Sequence, residues 1–595
     1  MSERQFYLTA AEDLSGNAGQ WAAYGSTGHC VVLAGPGSGK TKTLTLKLAR
    51  ILAEDVEPPR GVACITYNNE CARELETRLD QLGIEPGGRV FIGTVHSFSL
   101  TQIILPYAKT ARLGLPDGFR VATQYEQRAS LEDAFHEIIG GPENPQNVNL
   151  RMSRYRRSFL NRAAPEWYGH DEQLARLVES YEARLRAKGV IDFDDMPLLA
   201  VRALRENEWL QRAILAKYPV LAVDEYQDLG SALHRMMMGL CFSAGIRLLA
   251  VGDVDQSIYG FTGADPTLLE QLAERADVEV VRLRLNYRSG SRIVMASSYA
   301  LGEERDYEAP AGASQGTIYF HPLHGTLETQ ADYLFSTVLP AVQARIPDLQ
   351  MGDVAILYPT AGIGNVVTDA VREHGYEAIR TDGNALYPRS SRLIRWLELC
   401  AVWCCGGWRD GDPRFNKLVS EGSRIFSEVV LSADERLKFQ RLLMELLWNR
   451  RDEAADVHAW LSELRSALID NLCGTCRTMN EESDTLSAFM ERVDVGGDRA
   501  GMTLSQFSGE GVSADRINLS TLHSAKGREF TVVVLFAMDQ GRIPWNGVGP
   551  QQIRESRRLF YVGFTRAKSE IHMMYSTSSP SPFVTEVQNR LAQGQ

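Results

Sequence analysis

The segment that most constrains this chain is Ala34-Gly35-Pro36-Gly37-Ser38-Gly39-Lys40-Thr41. It lies between the apolar run Cys30-Val31-Val32-Leu33 and the apolar positions Leu44, Leu46, Leu48 and Ala49. That setting reads as strand, glycine-rich turn and helix start. Glycines let backbone N–H groups converge on phosphate oxygens, and a helix N-terminus adds partial positive charge. Lys40 then reaches the β- and γ-phosphates, and the Thr41 hydroxyl ligates Mg²⁺. Ala34 stands where a glycine is usual, small enough to keep most of the close approach. The segment reads as a nucleoside triphosphate site.

An alternation of strands and helices follows. Gly61–Tyr67 reads as a second buried strand, and Asn68 as the cap of a helix from Asn69 to about Leu82. Gly83 and Pro86-Gly87-Gly88 end that helix, and Val90–His96 gives a third strand. This order implies a parallel, doubly wound α/β sheet. Residues 101–189 turn helical and more polar, as an insertion would. Strands resume at Val220–Val223 and Arg247–Val251. A second alternating region runs through Thr317–Phe320, Val354–Tyr358, Ile517–Leu522 and Thr531–Ala537. Another helical block lies between about Pro388 and Ala514; its Trp396, Trp403, Trp408, Trp448 and Trp460 read as core.

At 595 residues the chain exceeds one core, and its length suggests roughly three to five domains. The expected division is 1–100 with 190–290, an insertion at 101–189, then 291–388 with 515–595, and an insertion at 389–514. The net charge of −12 argues against blanket attraction to nucleic acid, so any such contact uses a local groove. No apolar run approaches the ~18–20 residues of a membrane span, and Met1–Gln5 opens no signal core. Nine cysteines without small-domain spacing fit a reducing, cytoplasmic setting.

Asp224-Glu225 follow the apolar strand Val220–Val223. A P-loop enzyme needs one carboxylate for Mg²⁺ and a second group to orient or deprotonate water. Asp224 is the metal candidate and Glu225 the water activator. Asp253 and Gln256, beyond the next strand, fall beside the same phosphates, with Gln256 placed to sense the γ-phosphate.

Together the residues resemble the superfamily 1 DNA helicases of the UvrD/Rep/PcrA type. The match is carried in order by Gln20, AGPGSGKT (34–41), ITYNNECARELETRL (65–79), GTVHSF (93–98), IDFDDM (191–196) and VDEYQD (223–228). It continues with VGDVDQSIYGFTGAD (251–265), LNYRS (285–289), STLHSAKGREF (520–530) and RRLFYVGFTRA (557–567). The resemblance implies two RecA-like P-loop motor domains, each a doubly wound parallel sheet with a mainly helical insertion. It implies ATP and Mg²⁺ as cofactors and 3′→5′ movement on single-stranded DNA, with ss/ds junctions as targets. Gln20 resembles the glutamine that reads adenine, Tyr287 the aromatic that stacks on the base, and Glu529 the acid near the ribose. Arg288 and Arg566 resemble the arginines that reach the γ-phosphate from the second lobe, which makes hydrolysis depend on lobe closure. Thr66, Tyr67, His96, Tyr259, Phe261, Thr521 and His523 fall at positions resembling single-strand contacts. The aromatics among them also read as core.

Departures accompany the resemblance. Phe261-Thr262 stands where the family usually has Trp-Arg, so a smaller ring stacks and one charge is lost. Pro359 replaces a usual arginine, and Lys42 replaces an arginine near the nucleotide, keeping charge without the planar stack. These losses support a competing expectation: a DNA-sensing regulatory ATPase in a larger complex, beside a nuclease in phage defence or a repair protein. The chain ends shortly after RRLFYVGFTRA, leaving no room for an appended nuclease domain. Arg151, Arg154, Arg156, Arg157 and Arg162 crowd the first insertion; they read either as a duplex-holding patch or as a solvated or protein-docking face. Cys473-Gly474-Thr475-Cys476 has one finger-like pair, and ordinary buried cysteines are the favoured reading.

Overall fold

The computed structural model describes residues 3–67, 69–84, 88–159, 162–430, 432–509 and 514–593. Asn68, expected to cap a helix, and Pro86-Gly87 lie outside these. Two six-stranded sheets organise the chain, and both consist of parallel pairs. The first contains β1 (His29–Ala34), β2 (Val62–Thr66), β3 (Val90–Thr94), β4 (Val220–Val223), β5 (Arg247–Gly252) and β6 (Val278–Leu283), in the order β3-β2-β4-β5-β1-β6. β2 and β4 are buried along their whole length, as a sheet covered on both faces requires. Leu33 of β1 is level with Gly252 of β5, and Ala250 of β5 with Val223 of β4. The residues that leave these strands therefore emerge together at one carboxyl edge, where open α/β sheets bind ligands.

The second sheet contains β7 (Thr317–Leu323), β8 (Val354–Tyr358), β9 (Ala378–Arg380), β10 (Ile517–Thr521), β11 (Phe530–Leu535) and β12 (Ala567–Ser576), in the order β9-β10-β8-β11-β12-β7. The tandem doubly wound sheets bear out the fold class. Helix α1 (Lys40–Arg50) starts directly from the glycine turn, α2 (Gln146–Ser158) belongs to the first helical insertion, and α3 (Pro550–Phe564) packs under the second sheet.

Three local expectations need correction. Val95-His96 do not extend β3: the Thr94 hydroxyl accepts from the Ser97 N–H at 3.2 Å and starts a helical turn. Strands β6, β9 and β12 were not foreseen; β6 alternates buried Val278 and Val281 with exposed Glu279 and Arg282, and so shows no continuous apolar run. In the second insertion Trp396, Trp403 and Trp460 are core, with Cys400, Cys404, Cys473 and Cys476 buried beside them. Trp408 and Trp448 are not; they flank the Arg451 guanidinium near the surface.

Candidate nucleotide and nucleic-acid cleft

The glycine turn is shaped by what packs on it. Gly37 and Gly39 adopt φ of +65° and +80°, a region side chains disfavour. A Cβ at Gly37 would lie 2.4 Å from Asn286 Oδ1, and one at Gly39 would lie 2.6 Å from Gln20 Nε2. Gln20 donates to the Ser38 carbonyl at 2.8 Å, so it braces the turn itself. Asn286 accepts from the Arg288 and Ser289 N–H groups at 2.8 and 3.0 Å, while the Tyr287 N–H donates to the Gly37 carbonyl at 2.9 Å. Half-exposed Tyr287 presents its ring beside the turn, its hydroxyl held by Asn17 at 3.0 Å. The Tyr307 ring covers Gly35, a contact with no motif to announce it. Ala34, Pro36 and Ser38 are buried in the same turn, and Thr41 follows Lys40 on α1.

Lys40 Nζ lies 3.9 Å from Glu225 Oε1. Glu225 has φ of +53°, rare for a residue with a side chain and of the order of 1–3 kcal/mol in strain. Burial, with the Glu225 charge next to it, pushes the Asp224 carboxyl above its usual range. Burial would raise Glu225 too, but Lys40 and Lys526 outweigh it and hold Glu225 ionised, below its usual range. Adjacent acids are thus split into one reluctant and one ready carboxylate.

The opposite wall comes from the second sheet. Arg566 Nη2 donates to Gln256 Oε1 at 3.0 Å, and Gln256 in turn donates to Asp253. The rest of the Arg566 guanidinium meets the Val562 and Arg528 carbonyls and the Thr565 hydroxyl. It is 2% exposed and has no carboxylate within ion-pair distance among the described residues. Burial and the nearby Arg288 bring it down to about 9. Arg288, expected from the second lobe, instead follows β6 of the first sheet: a Cβ at Gly37 would lie 2.7 Å from its own, and its guanidinium crosses to pair with Glu529 at 2.7 Å, which Lys568 reaches at 3.1 Å. Lys42 pairs with exposed Asp13 at 3.0 Å and takes no part in the turn's contacts.

Lys526 was not singled out from the sequence, although it sits in STLHSAKGREF. Its ammonium crosses from the second sheet to bond Asp228 and the Gln256 carbonyl (2.7 Å), with Glu225 at 3.7 Å. Gln227 was also missed: it accepts from the Asp253 N–H at 2.9 Å and donates to Glu225, tying β4 to β5.

Away from the glycine turn the cleft becomes aromatic. Tyr67 and Tyr259 stack at 4.7 Å, Phe261 meets His523 edge-on at 5.7 Å, and the Tyr259 ring lies 6.4 Å from His523. Phe261 is 41% exposed, whereas Tyr67, Tyr259 and His523 are half-buried. His96 faces Phe193 rather than this group, Thr66 is buried at the end of β2, and the Thr521 hydroxyl accepts from the Ser524 N–H.

Known sequences add to this geometry. A family model described as UvrD/REP helicase N-terminal domain matches residues 16–277, and one described as UvrD-like helicase C-terminal domain matches 441–578. The ATP-dependent DNA helicase Rep of Escherichia coli (strain K12) is 27% identical over 614 residues, covering 92% of this chain and 88% of that protein. The ATP-dependent DNA helicase PcrA of Bacillus subtilis (strain 168) is 24% identical over 637 residues, covering 93% and 82%. With tandem P-loop sheets meeting at one cleft, this chain belongs to the UvrD/Rep/PcrA-like helicase family.

Proposed function

We propose that the chain is an ATP-dependent motor that moves 3′→5′ on single-stranded DNA and unwinds duplex at ss/ds junctions. The observation that carries the reading is Arg566. A guanidinium buried with no carboxylate at ion-pair distance among the described residues costs several kcal/mol, so this position calls for an anion to enter the cleft beside Lys40. A triphosphate suits it, because the turn at Gly37 and Gly39 has no room for a Cβ and opens its backbone donors at a helix start. In that arrangement Gln20 and Tyr287 border the base and Glu529 the ribose. The Thr41 hydroxyl and Asp224 would hold Mg²⁺, which neutralises phosphate charge. Glu225, kept ionised by Lys40 and Lys526, takes the proton of the attacking water, and Gln256 links that event to Arg566 across the lobes. Residues 1–100 with 190–290 then act as one motor lobe and 291–388 with 515–595 as the other, the insertions at 101–189 and 389–514 riding on them. Tyr67, Tyr259, Phe261, Thr521 and His523 line the strand path, whereas Thr66 is buried at the end of β2 and His96 turns to Phe193.

The test is unwinding by the purified chain of duplexes with a 3′ or a 5′ tail, with ATP hydrolysis followed in parallel. Unwinding of the 3′-tailed substrate alone supports the proposal. Hydrolysis stimulated by single strands without any unwinding would favour the regulatory ATPase, a reading that uncharged Thr262 and Pro359 support.

A further inference from the structure

The first insertion carries five arginines on or just after α2, and the structure separates their roles. Arg156 is fully buried among Glu182, Asp192 and Asp195, with ion pairs of 2.9, 2.6 and 3.0 Å. Arg162 pairs with Glu182, Arg157 with Asp194 at 2.7 Å, and Arg151 with Asp171 at 3.4 Å. These four charges are neutralised where they stand. Arg154 is exposed and has no carboxylate partner among the described residues. Among the described residues its side chain bonds only the Phe261 carbonyl, at 3.0 Å, one residue before the Thr262 carbonyl that Arg157 reaches. The same loop is held from the other lobe by Glu555 of α3, which accepts from the Phe261 N–H at 3.2 Å.

We propose that Arg154 is a phosphate contact for the single strand, supplied by the insertion to the Phe261 stacking site. A guanidinium has five donors and Arg154 spends one on the loop, leaving the others turned to solvent beside an exposed ring. A base stacked on Phe261 brings its flanking phosphate within reach of that long side chain, and phosphate contacts give most of the affinity in sequence-tolerant binding. The neutral Thr262 supplies no cation of its own, so the charge arrives from α2 instead. The patch therefore serves one strand at the cleft, and the crowding of arginines in the sequence overstates its charge. This inference rests on the single-strand reading proposed above.

The test is anisotropy of a fluorescent oligothymidylate titrated with the full chain over a series of salt concentrations. Arg154→Gln removes the charge and keeps an amide donor on a shorter side chain. It is expected to weaken binding roughly three- to ten-fold at low salt and to flatten the slope of log affinity against log salt by about 0.7. Arg151→Ala, one helical turn away, is expected to leave both unchanged. DNA-independent ATP hydrolysis equal to wild type reports that Arg154→Gln is folded. Wild-type affinity and slope in Arg154→Gln, with loss only in Arg154→Ala, would make Arg154 a brace for the loop and overturn the inference. Failure of the wild-type chain to bind any single strand would instead overturn the motor reading, and this inference with it.

Discussion

The two ends of the interlobe cleft are closed by different physics. At the glycine turn the lobes meet through cations of the second sheet: Lys526 on Asp228, with Glu225 at 3.7 Å, and Arg566 on Gln256, all but Glu225 nearly free of solvent. At the other end they meet through rings, with Tyr259 and Phe261 against His523, and through the hydrogen bond that Glu555 accepts from the Phe261 N–H. Buried charges have steep, direction-specific costs, so the first end responds sharply to the arrival or loss of an anion. Stacked rings tolerate sliding and exchange, which suits a surface that, in the function proposed above, releases one base and takes the next. On that proposal a switch and a slipway share one cleft.

The largest effect should come from breaking the charged end. Arg566→Ala is expected to lower ATP turnover by about 10³–10⁵-fold, and Lys40→Ala to abolish it with thermal unfolding close to wild type. Turnover within ten-fold of wild type in either variant would separate these residues from the phosphates. Next is the lobe-crossing ion pair. Burial pushes Asp228 up to about 7 despite Lys526, and its Oδ1 has no hydrogen-bond partner among the described residues, so the pair is expensive to disrupt. Lys526→Met should cost about 3–5 kcal/mol in urea unfolding, and adding Asp228→Asn should recover most of it. Additive losses would show that the two residues act independently. The aromatic end should give less: Phe261→Ala is expected to weaken single-strand binding by about 1–3 kcal/mol, with hydrolysis in the absence of DNA unchanged.

The same contrast explains what the sequence could and could not disclose. The glycine turn is legible because Gly37 and Gly39 are dictated by local backbone and close packing, and because Asp224 and Glu225 must follow a buried strand. Lys526 was overlooked because its partner Asp228 is 298 positions away, and nothing in the local pattern marks a lysine that will be buried. Arg154 and Arg156 look alike in the sequence; only the fold brings Asp192 and Asp195 over one and leaves the other in solvent. Trp408 and Trp448 looked like core because tryptophan usually is, yet Arg451 offers them a cationic partner at the surface. Local constraint is readable; long-range pairing is not.

Acidity gives the finest probe of the comparison. Burial pulls His523 below its ordinary value, and it does the same to His96, so both rings are neutral in the folded chain at neutral pH. A base with a depressed folded-state value contributes stability that is whole above about pH 6.5 and drains away as the pH falls toward that lower value, because the unfolded chain takes up the proton first. His523→Gln has no proton to gain. Its melting temperature should therefore fall less than that of the wild-type chain between neutral pH and about pH 5, while the two curves converge in shape above that range. At the charged end Glu225 stays ionised across this window, held by Lys40 and Lys526, whereas Asp228, pushed up to about 7, takes up its proton within it; that change is common to both proteins and cancels in the comparison. Parallel curves for the two proteins would mean that His523 is solvated in the folded state, and that the aromatic end is looser than its ring contacts indicate.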